Sequence, residues 1–327
     1  MDALSEILRV IQLDSAIYFN AELSAPCCLE TPDSRLLAPM LAPQGGHVII
    51  YHLIREGRAY VQTLEGERIV LSAGDIVTFP HGDSHLLGSG DAIQPVDVRA
   101  ALPGVLERRL ELLHVGGGGA RSRLICGFLS CDPQLAQAFL GGLPRVIKIN
   151  IREDPSGQWL ENSIEFSVMQ AGRREAGGDA MLAKLSEAVF AETLRRYLRQ
   201  LPQDQTGWLA GARDPDVGRA LTLLHQRYAD PWTLAGLAKE IGLSRTVLTE
   251  RFRHFLGVPP MTYLTRWRLQ LGARALTTTS RSVAQIAAET SYESEAAFNR
   301  AFKRHLGIAP GAAKRARPLP VGLAEGR

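Results

Sequence analysis

Leu237-Ala238-Lys239-Glu240-Ile241-Gly242-Leu243-Ser244, followed by Leu248, Phe252, Leu256-Gly257 and Pro260, is one half of a pattern that this chain writes twice. The other half reads Ile286-Ala287-Ala288-Glu289-Thr290-Ser291-Tyr292-Glu293-Ser294, then Phe298, Phe302, Leu306-Gly307 and Pro310. Leu248, Phe252, Gly257 and Pro260 recur at an offset of 50 and the earlier positions at 49, so the second copy has one extra residue in its turn. In copy one, Leu234, Leu237, Ala238 and Ile241 fall at helical spacing and make one apolar face. Gly242 ends that helix, because a helix C-terminus often needs the left-handed conformation that glycine accepts. Ser244 is placed to cap the next helix by accepting a backbone N–H. Leu248, Phe252 and Phe255 are expected to fix this second helix against the first. In copy two, Val283, Ile286 and Ala287 face inward, Ser294 caps, and Phe298 and Phe302 anchor. Each copy therefore reads as helix, short turn, helix.

The polar positions left over must face outward. Two ordinary hairpins in a bundle have no reason to repeat small residue, turn, cap, aromatic, glycine and proline in one order. A tandem helix-turn-helix, whose second helices enter the major groove, is the better reading. Charge agrees with it: from Gly211 onward there are 18 Lys+Arg against 9 Asp+Glu, and before it 19 against 25. A basic C-terminal third that coincides with the motif suits a domain built for phosphates. The recognition helices are expected over 244–255 and 294–305. Arg245, Thr246, Thr249 and Glu250, then Glu295, Asn299 and Arg300, are the expected base readers, since Arg takes guanine bidentately and Asn takes adenine. Arg253, Lys303 and Arg304 are expected on phosphates, which position without specifying. Ser244 and Ser294, at the helix starts, complete the expected DNA-facing set. The helix expected over 261–276 joins the copies and would hold them apart by roughly 24 Å, against about 34 Å for one turn of DNA.

The second copy resembles the signature of the AraC/XylS family of bacterial transcription regulators, I-A-x-x-x-G-Y-x-S-x-x-x-F-x-R-x-F-K-R-x-x-G-x-x-P. Ile286, Ala287, Tyr292, Ser294, Phe298, Arg300, Phe302, Lys303, Arg304, Gly307 and Pro310 carry the likeness. The chain departs at Ser291, where the family has Gly, and after Pro310, where Gly-Ala-Ala-Lys-Arg replaces a Tyr-Arg ending. The resemblance implies a sequence-specific transcription factor acting on double-stranded promoter DNA, with RNA polymerase and a second copy of the chain as partners.

A chain of 327 residues is expected to form two domains. Its 45% hydrophobic and 22% charged residues are those of a globular protein, and no apolar run approaches the roughly 20 residues of a membrane span. Asp2 and Glu6, with no basic start, exclude a signal peptide reading, so a cytoplasmic protein without membrane contact is expected. The four cysteines contain no C-x-x-C pair, which argues against a zinc finger or a disulfide framework.

From Gly46 the period changes. Runs 47–54, 59–64, 68–71 and 76–79 are short and β-branched, separated by Glu56-Gly57, Glu65-Gly66 and Ala73-Gly74. That spacing argues for a small antiparallel barrel or sandwich. The segment Gly74-Asp75-Ile76-Val77-Thr78-Phe79-Pro80-His81-Gly82-Asp83-Ser84-His85 resembles the second cupin motif, G-x5-P-x-G-x2-H-x3-N, with Ser89 in place of Asn. The first cupin motif fits Gly46, His52 and Gly66, but its second His falls on Ile54 and its Glu on Arg58 or Ala59. Two imidazoles without a carboxylate hold a divalent metal poorly. No metal or other cofactor is therefore expected; were one bound, His52, His81 and His85 would be its ligands, with His47 in reserve. The expected fold is α+β: an N-terminal cupin-like antiparallel barrel with helices, then an all-α domain with two helix-turn-helix motifs.

Cys126-Gly127 in a strand over 124–129, with Pro80-His81-Gly82-Asp83-x-His85, resembles the cupin-domain AraC-type regulators that include reactive-chlorine sensors. That likeness makes Cys27, Cys28 and Cys126 candidate redox residues, the first two in a Pro-flanked loop. Gly116 to Gly119 is expected to be a flexible loop. Helices are expected over 1–10, 134–140, 158–170, 179–201 and 217–228. The apolar stripe Leu182, Leu185, Val189, Leu194, Leu198 and Leu201 offers either domain core or a dimer contact. The expected division is residues 1–202 for sensing and dimerisation, 203–213 as linker and 214–318 for DNA. The effector is an oxidant or a small molecule. The competing reading is a metal-dependent cupin enzyme fused to a DNA-binding domain.

Overall fold

The computed structural model describes residues 2–10, 14–42, 46–91, 93–99, 102–103, 110, 112–131, 139–140, 142–171, 177–202 and 204–315. The chain divides into a strand-rich unit, Ile11–Gln203, and a helical unit made of Met1–Val10 with Asp204–Arg327.

In the strand unit the order is β1 (Asp14–Ser24), β2 (Cys27–Thr31), α2 (Ser34–Leu41), β3 (His47–Glu56), β4 (Arg58–Thr63), β5 (Arg68–Ser72), β6 (Asp75–Phe79), β7 (His85–Ser89), β8 (Val96–Asp97), β9 (Leu113–Gly116), β10 (Arg121–Cys131), β11 (Ile147–Asn150), α3 (Pro155–Ala171) and α4 (Gly178–Gln200); α1 (Ala3–Val10) belongs to the helical unit. One sheet runs β11-β6-β3-β10-β1-β9 and the other β5-β4-β7-β2-β8. Among the described strand pairs only β1/β9 and β2/β8 are parallel. The interior between the sheets is filled by Val48, Ile50, Ile54, Val61, Leu71, Val77, Phe79, Leu87, Leu124 and Phe128 among others.

β3 is buried along most of its length because both of its faces are covered. Val48, Ile50 and Ile54 point into the barrel, and Tyr51 faces α4, where its hydroxyl lies 2.8 Å from Ser186 Oγ. Tyr51 sits opposite Gly127 of β10, and a side chain there would strike the Tyr51 ring at 2.2 Å. The glycine beside Cys126 thus makes room for the ring that ties the sheet to α4. Arg196, 2% exposed on α4, binds Glu192, Asp154 and the Asn150 carbonyl, which anchors α4 to the end of β11.

Two expectations change here, and one open choice narrows. Cys27 and Cys28 lie in a strand, since β2 pairs with β7 through Cys27↔Ser89 and Cys28↔Gly88. Pro26 disguised it: proline loses a ladder donor and so reads as loop, but it stands just before the first paired residue. The glycine loop is tied down, with Gly117 and Gly119 donating to the carbonyls of Ser24 and Ala25. The stripe of α4 is spent inside the unit: Leu182, Leu185, Val189, Leu194 and Leu201 are all buried. The helix expected over 134–140 falls largely outside the described residues.

The helical unit contains α1, α5 (Trp208–Arg213), α6 (Pro215–Gln226), α7 (Leu234–Ile241), α8 (Arg245–Leu256), α9 (Pro260–Thr278), α10 (Val283–Glu289), α11 (Glu295–Leu306) and α12 (Pro310–Arg315). Residues 208–213, expected in a linker, form α5 with Trp208, Leu209 and Ala210 buried. Residues 1–10, expected with the sensor, instead place α1 on α6, burying Ala3 and Ile7, and Gln226 Nε2 donates to Glu6 Oε1 at 3.0 Å. Trp208 Nε1 donates to Tyr263 Oη at 2.9 Å, and Tyr263 Oη lies 2.8 Å from His225 Nε2, beneath Trp267. Burial pushes His225 down to about 3, so it is a neutral part of the core.

Candidate nucleic-acid interface

The two copies fold alike because their chain signals are alike. Thr233 caps α7 and Ser282 caps α10, the latter in a reciprocal capping box with Gln285. Gly242 ends α7 at φ 83, donating to the Ala238 and Lys239 carbonyls. Ser291 stands at the matching place after α10 and adopts φ 60, so the turn keeps its left-handed residue without glycine. Ser291 Oγ also hydrogen-bonds the Ala229 carbonyl, which offsets part of the cost of that conformation.

Each recognition helix then starts on a serine. Ser244 Oγ accepts from Val247 N at 3.2 Å, and Ser294 Oγ from Ala297 N at 3.1 Å. Gly257 and Gly307 end α8 and α11 in the left-handed conformation, so both helices have 12 residues. Leu248 and Phe252 in one, Phe298 and Phe302 in the other, are fully buried, each contributing about 1.5–3 kcal/mol over exposure. Phe255 is only half-buried and packs over Gly211 of α5.

The expected contact residues lie on the outer faces. Arg245, Thr246, Glu250 and Arg253 are exposed on α8, and Glu295, Arg300, Lys303 and Arg304 on α11. Thr249 and Asn299 are half-buried, and Thr249 Oγ1 donates back to the Arg245 carbonyl at 2.8 Å. The hydroxyls of Ser244 and Ser294 are engaged in capping. Among the described residues Arg245, Arg253, Arg300, Lys303 and Arg304 have no ion-pair partner within the chain. Glu295 in the first turn and Lys303, Arg304 and His305 in the last complement the dipole of α11.

Arg251 is the basic residue that pattern reading passed over. It reaches Asp214, the cap of α6, and Asp216 at 3.1 Å, and so fixes α8 to α6. Arg268, on the connecting helix α9, donates to the Tyr228 and Asp230 carbonyls at 2.7 Å. The 19 residues of α9 span roughly 28 Å, longer than expected and nearer to one turn of DNA. Lys314 donates to the Arg281 carbonyl at 2.6 Å; residues 316–318 lie outside the described residues.

In the strand unit, three expected residues meet. His52 Nδ1 lies 2.7 Å from Cys126 Sγ, His52 Nε2 lies 2.8 Å from His85 Nε2, and His85 Nδ1 lies 2.9 Å from the Asp83 carbonyl. His52 belongs to one sheet and His85 to the other, so the chain of bonds crosses the interior. A carbonyl only accepts, which fixes every proton: His85 donates from Nδ1, His52 donates from Nε2 to His85, and Cys126 donates its S–H to His52. Burial, and then the neighbouring His85, hold His52 well below the ordinary histidine range, and burial brings His85 to about 4. Burial likewise pushes the Cys126 thiol well up and the Cys27 thiol up.

This arrangement does not fit a cupin metal. Both nitrogens of His52 are committed to opposite neighbours, so Cys126 and His85 lie on opposite sides of its ring and do not converge. The carboxylate position of the motif holds Arg58 or Ala59. His47 and His81 each face a backbone carbonyl, Pro80 at 2.6 Å and Leu143 at 3.0 Å. Among the described residues no group of three or more His, Cys, Asp or Glu could hold a metal ion.

A cupin family model matches residues 2–199, and a helix-turn-helix domain model matches residues 237–316. The chain is 30% identical over 313 residues to a protein of Streptomyces lividans named an AraC-like transcription regulator, covering 95% of this chain and 97% of that one. It is 28% identical to the HTH-type transcriptional regulator AlkR of Acinetobacter baylyi, covering 95% and 98%. It is 24% identical to the RCS-specific HTH-type transcriptional activator RclR of Escherichia coli, covering 95% and 96%. No helix among the described residues is long and apolar enough to cross a membrane.

Proposed function

Because this chain belongs to the AraC-like transcription regulators, with a cupin domain before the helix-turn-helix domain, we propose that α8 and α11 read two successive major-groove segments of a promoter and that the cupin unit sets their affinity. The observation that carries this is the matched pair of serine-capped, 12-residue helices with outward cations that have no ion-pair partner among the described residues. Arg245, Thr246, Thr249, Glu250, Glu295, Asn299 and Arg300 are the base readers in this proposal, and Arg253, Lys303 and Arg304 hold phosphates. The protein acts in the cytoplasm as a homodimer and engages RNA polymerase at its promoters. It works as a regulator rather than a metal-dependent enzyme, since the cupin ligand set does not converge.

Protection of the DNA upstream of its own gene tests the reading. Arg245→Ala should relax the choice of one base pair, at a cost of roughly 1–3 kcal/mol on the matched site alone. Lys303→Ala should weaken matched and mismatched sites equally and lower the salt slope by about 1. Equal behaviour of the two variants on both kinds of site would refute the division of roles.

For the signal, the buried thiols favour a small molecule over direct oxidation, because the thiolate is the reacting form and burial suppresses it at Cys27 and Cys126. The oxidant reading retains the contact of Cys126 with His52 and the similarity to RclR. Serine replacements at Cys27, Cys28 and Cys126 that leave the footprint's response to mild hypochlorite unchanged would remove it.

A further inference from the structure

Ala296 is the second residue of α11, and it is exposed. At about 100° per residue it lies nearly opposite Phe298, which is fully buried. Asn299 and Arg300, three and four residues on, and Lys303, seven on, share its side of the helix. Ala296 therefore leads the outward stripe to which base reading and phosphate contact are assigned above. The N-terminal end of a recognition helix is the end that reaches base edges. The matching residue of copy one, at the offset of 50, is Thr246, also exposed. From 244 to 250 and from 294 to 300 the two copies bury and expose the same positions, save that Val247 is exposed and Ala297 half-buried. The two lead positions thus face the same way with different chemistry. Threonine carries a hydroxyl beside its methyl; alanine carries a methyl alone.

A methyl group neither donates nor accepts. Pressed against a base edge in the major groove, it strips water from whatever faces it. Guanine, adenine and cytosine face the groove with acceptors or donors that would then go unpaired, whereas thymine alone adds an apolar C5-methyl. We propose that Ala296 is a specificity-determining residue of copy two and that it selects a thymine through that methyl. The contact acts by apolar burial, so its weight is that of one methyl group, roughly fourfold in affinity. It is weaker than a bidentate pair and adds to the contacts of Asn299 and Arg300. Four residues of helix rise by about 6 Å, close to two base-pair steps of about 3.4 Å, so the thymine lies within about two base pairs of the one read by Arg300. The inference rests on α11 entering the major groove.

The test titrates the full chain on the DNA upstream of its own gene, with each thymine of the protected segment replaced in turn by uracil. Uracil pairs as thymine does and lacks only the methyl. For the parent, one such replacement, near the base pair relaxed by Arg300→Ala, should weaken binding roughly fourfold. For Ala296→Gly the same replacement should change nothing, while every other thymine keeps the effect it has in the parent. The ratio of affinities for thymine and uracil is the readout, because a glycine that only loosened the first turn of α11 would weaken both DNAs alike. A parent indifferent to every uracil, or a sensitivity that survives in Ala296→Gly, would overturn the proposal while protection of the promoter stands. Absence of any protection on this DNA would instead overturn the reading of the helices, and this inference with it.

Discussion

At Ser291 the sequence departs from the family pattern and the backbone does not. A serine at φ 60 carries a steric penalty of about 1–2 kcal/mol that glycine escapes. Here its hydroxyl bonds the Ala229 carbonyl as partial compensation. Ser291→Ala should keep the strain and lose the bond, destabilising the helical unit by roughly 1–2 kcal/mol in thermal unfolding. Ser291→Gly exchanges one term for the other and should fall within about 0.5 kcal/mol of the parent. Caps such as Ser244 and Ser294 were legible because each acts within three residues of itself. Arg251 was not: its partners Asp214 and Asp216 stand 37 and 35 positions away, and a basic residue on a recognition helix looks the same whether it meets a phosphate or an aspartate.

Among the elements, the helices of the DNA-binding half and most strands of the barrel were readable from period and punctuation. β2 was hidden by Pro26, α2 by its internal Pro39, and β9 and β11 by their length of four residues. The pairing of β1 with β10 joins Glu22 to Arg123, a separation no local pattern encodes. Helix α9 carries Gly272 at its contact with copy two, and a Cβ there would meet the Phe298 ring at 3.0 Å and Ile286 at 3.5 Å. Gly272→Ala gains helix propensity of about 1 kcal/mol but presses on a ring that is fully buried, so the net change should be destabilising by roughly 1 kcal/mol. On the strand unit, α4 has used its apolar stripe, while α3 leaves Trp159, Phe166 and Met169 exposed at 66%, 58% and 63%. Their spacing of seven and three residues places them on one face. Phe166→Glu, on this exposed face, should leave thermal unfolding within about 0.5 kcal/mol of the parent.

For the whole molecule, acid is the revealing variable. His85 is held at about 4 against an ordinary 6.5, and His52 is held below its ordinary value as well. A depressed folded value means that the unfolded chain binds the extra proton. The stability contributed is therefore present above 6.5 and is lost as pH falls through the window down to about 4. Unfolding of the strand unit should lose on the order of 3 kcal/mol from His85 alone between pH 7 and pH 4, and His85→Leu should flatten that slope. A stability that is level across this range would mean that the two rings are not buried neutral.

The position of α1 has a further consequence. The chain passes between the units twice, at 10–11 and at 203–204, because its first ten residues fold with its last third. A single proteolytic cut near 203 should leave two fragments that still elute together, held by Ala3 and Ile7 on α6.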